Sequence, residues 1–156
     1  MTAPEVKIRQ ATQNDASAIL KLYAQPDYDN GRVLSQEGAK AIILNAERYP
    51  FYKFYIAERQ GLALGTYALL VMENIGHMGS PSAIVESVAV APEAQGMGIG
   101  KALMDHALAI AAAQGCYKLA LSSNLKRAAA HAFYDRLGFQ RHGVSFVVPL
   151  AGKAGA

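Results

Sequence analysis

Residues 95–101 read Gln-Gly-Met-Gly-Ile-Gly-Lys, with glycines at 96, 98 and 100. An apolar run ends at Pro92 just before them, and an alanine-rich run over 101–113 follows. Glycine has no Cβ, so backbone N–H groups can converge on a phosphate at close range. A helix opening next adds unpaired amides and the positive end of its dipole. The stretch is therefore expected to grip a pyrophosphate. Two nucleotide motifs are excluded. A triphosphate P-loop needs Ser or Thr after Gly-Lys, but Ala102 follows Lys101, and Gln95 stands where its first glycine belongs. The dinucleotide fingerprint needs a third glycine at 101 or 103, where Lys101 and Leu103 stand. A plain strand-to-helix turn remains as the alternative.

Charge supports an anionic ligand on that half of the chain. Residues 1–80 carry eight basic and eight acidic residues; residues 81–156 carry seven and four, which holds the whole net charge of +3. No Lys/Arg run or basic helical stripe argues for nucleic acid. The 156 residues, 52% hydrophobic and 17% charged, fit one globular domain over 1–150 with a loose tail at 151–156. The N-terminal residues carry no signal pattern, and the apolar runs are too short to span a bilayer, so a cytoplasmic protein without membrane partners is expected. The single cysteine, Cys116, reads as a buried inert thiol, and no His/Cys/Asp spacing suggests a metal.

The elements that must position the glycine turn follow from periodicity. Val6 and Ile8 alternate with Lys7 and Arg9 as a half-buried strand. Asn14 or Asp15 caps a helix over 16–24 with Ile19, Leu20 and Tyr23 at core spacing. The turn-rich 26–31 breaks it. Ser35 caps a second helix to about Arg48, and Pro50 stops it. Strands over 54–58 and 64–72 form a hairpin around Gly61, and 83–90 feeds the glycine turn. Alternation places Glu86, Val88 and Val90 on one side of that strand. After the alanine-rich helix, Gly115 is a stop, 118–122 a strand, 128–137 a helix ended by Gly138, and 144–150 a last strand. The order β-α-α-β-β-β-α-β-α-β predicts a single α/β domain on a mixed, mostly antiparallel sheet.

Gln95-x-x-Gly98-x-Gly100, after Val88-Ala89-Val90, resembles the acyl-CoA pyrophosphate loop of the GNAT superfamily of N-acetyltransferases. Downstream, Leu121-Ser-Ser-Asn-Leu-Lys-Arg127, Ala130-His-Ala-Phe-Tyr134 and Leu137-Gly-Phe139 resemble that family's second cofactor segment. The second segment is similar to aminoalkylphosphonate N-acetyltransferases, and 84–90 to glucosamine-phosphate N-acetyltransferases. The chain departs from the latter at Ser87, where an acid is usual, and from many relatives at Arg127, where an asparagine is common.

The resemblance implies a GNAT-like fold and an acetyl-CoA-dependent N-acetyltransferase, metal-free, acting on the primary amine of a small molecule. Acetylation of a peptide or protein amine, or a non-catalytic acyl-CoA sensor, are the alternatives. Backbone of Val88, Ala89 and Val90 would hold the pantetheine and thioester oxygen, and Gln95, Gly96, Met97, Gly98, Ile99, Gly100 and Lys101 the pyrophosphate. Asn124 and Arg127 would add cofactor contacts. Tyr134 would protonate the departing thiolate, since a phenol with a pKa near ~10 keeps its proton at neutral pH. Glu86 would take the ammonium proton through water. Tyr23, Asp27 and Tyr28 around the first interhelical loop, and His77 in a glycine-rich loop, would face the acceptor. A homodimer is a further expectation by analogy.

Overall fold

The computed structural model describes residues 4–152; residues 1–3 of the expected leaderless N-terminus, and the expected tail from 153 onward, lie outside them. Five strands pair in chain order: β1 (Lys7–Gln10), β2 (Tyr52–Arg59), β3 (Leu62–Met72), β4 (Ser82–Val90) and β5 (Lys118–Ala120). The first four are antiparallel neighbours, and β5 runs parallel to β4. The helices are α1 (Ala16–Tyr23), α2 (Gln36–Ala46), α3 (Ile99–Ala113) and α4 (Ala128–Arg136). Close contacts divide the chain between Leu121 and Ser122 into two compact units. The sheet and α1 to α3 form the first, and α4 belongs to the second.

β3 is the central strand, and Thr66, Tyr67, Ala68 and Leu69 are at most 1% exposed. An apolar run without alternation suits a strand covered on both faces. One face packs α1 and α2, through Ala11, Ile19 and Ile56 with Tyr23, Ile43 and Phe54 around them. On the other, Ile99, Leu103, Met104 and Ala107 of α3 are buried, and the Tyr67 hydroxyl shares a 2.8 Å hydrogen bond with His106 Nδ1. Burial pushes His106 down and Tyr67 up, which suits a phenol donating to a neutral imidazole.

The first corner differs from the expected cap. Asp15 stands at the N-cap of α1 but makes no side-chain cap bond there, and Thr12 caps a short 3-10 turn over Gln13–Asp15 in a capping box. Asp15 instead accepts two 2.8 Å bonds from Arg9 and one from the Thr12 amide. The Arg9 guanidinium holds the Asp15 carboxyl below its usual 3.8. A depressed folded pKa gives stability that is complete above the unfolded value and lost as pH falls through the folded one. Asp15→Asn is expected to destabilise by about 2 kcal/mol at neutral pH. It should also flatten the acid loss of stability that the parent shows below about pH 4. Parallel unfolding curves for the two proteins from pH 7 to pH 3 would contradict this.

Ser35 caps α2 as expected, accepting 3.1 Å from the Gly38 amide. Gly115 and Gly138 take φ of 76° and 87° past the ends of α3 and α4. The strand expected over 144–150 is absent. Val144, Phe146, Val147, Val148 and Leu150 are 79–91% exposed, and no ladder includes them. Alternating apolar residues favour an extended chain, but a strand exists only where a neighbour takes its hydrogen bonds.

Candidate active site

β4 does not alternate cleanly. Its register with β3 shifts between Thr66, opposite Ala89, and Ala68, opposite Glu86. Two residues, Ser87 and Val88, therefore face one residue, Tyr67. Ser87 sits at φ 56°, the left-handed region, which costs a non-glycine residue roughly 1–2 kcal/mol. This is a β-bulge, and one extra residue moves everything beyond it to the other face. Glu86 pairs with Ala68 on the α1/α2 face, while Val90 pairs with Gly65, whose Cβ direction points at Ile99 and Leu103 of α3. The expectation that Glu86, Val88 and Val90 share a side is thus corrected: Glu86 lies with Ala89 on one face, Val88 and Val90 on the other.

The bulge also splays the strand. β5 pairs only with Ser82 to Ile84, so among the described residues the outer edge of β4 from Glu86 to Val90 has no partner strand. The Ala91 amide donates to Leu64 of β3; alternation turns the amides of Val88 and Val90 to that outer edge. Two side chains from the end of α1 hold the splayed stretch. The Tyr23 hydroxyl donates to the Ser87 carbonyl at 3.3 Å, and Gln25 Nε2 to the Val90 carbonyl at 3.2 Å. Gln25 was not foreseen; its sequence signal, a lone polar residue before Pro26, is too weak to find it.

The glycine turn lies directly beyond. A 3-10 turn, Pro92–Ala94, leads to Gln95, then Gly96 at φ 77° and Gly98 at φ 80°. Either position would strain an L side chain. A Cβ on Gly96 or Gly98 would meet nothing within 4 Å, so the backbone there is bare. α3 opens at Ile99 with no side chain capping it, leaving the first amides of Ile99, Gly100 and Lys101 to an outside acceptor. These donors suit a pyrophosphate in chemistry and in space. Gln95 and Met97 are exposed. The Lys101 ammonium pairs with Asp105 one turn on.

On the α1/α2 face, the loop after α1 folds back on itself, with Asp29 and Gly31 amides donating to Tyr23 and Ala24 carbonyls. Tyr28 stacks on Tyr23 at 4.6 Å, so these two expected acceptor residues come together beside the Ser87 bulge. Burial first, then Tyr28, pushes the Tyr23 phenol up. Tyr52, the first residue of β2, joins them: burial first, then Glu86, pushes its phenol up. Asp27 is exposed on the loop. His77 is not brought to this group. Its ring stacks on Tyr117 at 4.3 Å, and the Tyr117 amide bonds Pro81 at the far end of β4. Burial raises the Cys116 thiol, which suits an inert role.

In the second unit, Tyr134 packs edge-on against Phe133 and Phe139 at 5.1 and 5.5 Å. Burial pushes its phenol up, and Arg127 acts the other way. The Asn124 side chain accepts from the Lys126 amide at 2.9 Å, and its carbonyl meets His131 Nε2 at 2.8 Å. Arg127 begins α4 without capping it. Among the described residues, no group of three His, Cys, Asp or Glu could hold a metal, and no helix is long and apolar enough to cross a membrane.

The sequence profile of the acetyltransferase (GNAT) family matches residues 13–139. A 5-NmdU N-acetyltransferase of Pseudomonas phage PaMx11 is 30% identical, covering 90% of this chain and 91% of its own. The aminoalkylphosphonate N-acetyltransferase of Salmonella typhimurium is 29% identical, over 94% and 93%. Among solved structures, a putative acetyltransferase from Agrobacterium tumefaciens superposes with a TM-score of 0.85 at 26% identity, covering 92% of this chain and 99% of that one. Acetyltransferases of this family take their acetyl group from acetyl-CoA. With its splayed β4, bare glycine turn and element order, the chain belongs to the GNAT family of N-acetyltransferases.

Proposed function

We propose that this enzyme transfers an acetyl group from acetyl-CoA directly to the primary amine of a small molecule. The observation that carries the reading is the bulge at Ser87. It offers the Val88 and Val90 amides at an unpaired strand edge leading into the glycine turn, and it puts Glu86 on the opposite face among phenols. The edge amides orient the pantetheine and donate to the thioester oxygen as it gains charge. The amides at the start of α3 hold the pyrophosphate.

The amine nitrogen attacks the thioester carbonyl, so a C–N bond forms and the C–S bond breaks. The ammonium proton leaves through water to Glu86, the thiolate takes a proton from Tyr134, and the second proton that the nitrogen sheds after attack restores the Tyr134 phenol. The aminoalkylphosphonate N-acetyltransferase is named for a small amine-bearing compound, which supports a small acceptor over a protein.

Thiol release from acetyl-CoA across a panel of small primary amines and peptides tests the proposal. Turnover with small amines is expected. Turnover with peptides alone would move the acceptor to a protein, and CoA binding with no turnover would make the chain a sensor. Glu86→Gln should lower kcat/KM about 10²-fold. If the rate survives, Glu86 is not the base.

A further inference from the structure

The acceptor face has a composition that narrows the amine. Across β2, β3 and β4, one row of side chains reads Phe54, Ala68, Glu86, and the next reads Tyr52, Leu70, Ile84. Glu86 on β4 and the aromatics of β2 stand about 10 Å apart, two strand spacings, with the buried Ala68 between them. Tyr52 meets Phe54 at 5.1 Å and Tyr49 edge-on at 5.5 Å. Tyr23, with Tyr28 stacked on it, closes the side next to the bulge. Tyr28 and Tyr49 reach solvent at 36% and 56% exposure, so the frame is lined for a ligand as well as for packing.

Its electrostatics are one-sided. Burial, then Glu86, Tyr49 and Tyr28 raise the Tyr52 phenol, so the charged group acting on it is a carboxylate. Burial, then Tyr28, raises the Tyr23 phenol. The nearest lysine along β2, Lys53, lies over the Phe51 ring at 4.6 Å. Arg9 is held by Asp15 and Glu58, and Lys40 pairs with Glu37. A phosphate or phosphonate placed here would meet a carboxylate and neutral phenols, and repulsion at short range is costly in a partly buried site. An ammonium on a ring-shaped apolar body meets the reverse: a carboxylate for the charge, and ring faces for the cation and the body.

We infer that Tyr23, Tyr28, Tyr49 and Tyr52, with Glu86, form an acceptor site for a primary ammonium carried on an uncharged ring, and that it discriminates against phosphorylated and phosphonylated amines. The inference rests on the acetyl-transfer reading and extends it to the acceptor class.

Phenethylamine and 2-aminoethylphosphonate are the two probes, compared on the full chain with CoA bound by ligand-observed NMR, and with acetyl-CoA by thiol release. Phenethylamine is expected to bind, and its kcat/KM to exceed that of the phosphonate about 10-fold or more. Tyr52→Ala should raise KM for phenethylamine about 10-fold, with little change in KM for methylamine, and Tyr52→Phe should restore it. Tyr49→Ala, at an exposed ring, should move the same KM in the same direction without risk to the fold. Preference for the phosphonate, or equal KM increases for phenethylamine and methylamine in both alanine variants, overturns the inference. Phenethylamine binding without thiol release from any amine overturns the transfer reading and leaves the site assignment standing.

Discussion

Tyr134→Phe is expected to lower turnover by about 10²-fold while acetyl-CoA affinity stays within about two-fold, a loss near 2.7 kcal/mol of transition-state stabilisation. The substitution removes one hydroxyl and no ring. The edge-on packing against Phe133 and Phe139 survives, so little stability should be lost. Burial raises the phenol, which keeps its proton in place at neutral pH for donation as the C–S bond breaks. The measurement is kcat by thiol release beside CoA affinity by titration. A fall in kcat with unchanged affinity isolates a step after binding. Unchanged turnover would reduce Tyr134 to a packing aromatic.

Gly65→Val should unfold the protein more easily by about 3 kcal/mol and lower its melting temperature by roughly 6–12 °C. Gly65 is buried on β3 under the start of α3. A Cβ there would stand 2.9 Å from Ile99 Cγ2, 3.0 Å from Leu103 Cδ1 and 3.3 Å from the Ala89 carbonyl. Two further γ-carbons cannot be placed without moving α3 off the sheet. In the proposed reading the first turn of α3 holds the pyrophosphate, so CoA affinity should fall with stability. Gly65→Ala meets mostly side-chain ends and should cost less. Thermal unfolding with and without CoA checks both variants. A valine variant that melts with the parent would show that α3 is not seated as tightly as these distances require.

The two residues differ in how far the chain announced them. Tyr134 stood out because Phe-Tyr-x-x-x-Gly-Phe repeats a family pattern. Gly65 was silent: one glycine in an apolar run gives no sign of which helix will cross it. The same limit applies to Tyr52. Its position after Pro50 marks the start of a strand, but whether it faces a core or a cleft depends on strands paired far along the sequence. The segment 144–150 shows the converse error. Its apolar alternation is genuine, yet among the described residues no strand pairs with it, and its side chains stand exposed.

By itself the sequence determined the element order through β5 and α4, the caps at Ser35, Gly115 and Gly138, and the glycine turn opening α3. These rest on local chemistry: residues lacking Cβ, hydroxyls that bond nearby amides, and periodicity within one helix or strand. Only the tertiary structure decided which side of β4 carries Glu86. Strict alternation from residue 86 to residue 90 put the carboxylate with Val88 and Val90. The bulge at Ser87 reversed that, because it lies in the pairing of β4 with β3 and in a left-handed serine held at its carbonyl by Tyr23. One inserted residue separates the unpaired edge of β4, which we propose takes acetyl-CoA, from the face that carries Glu86.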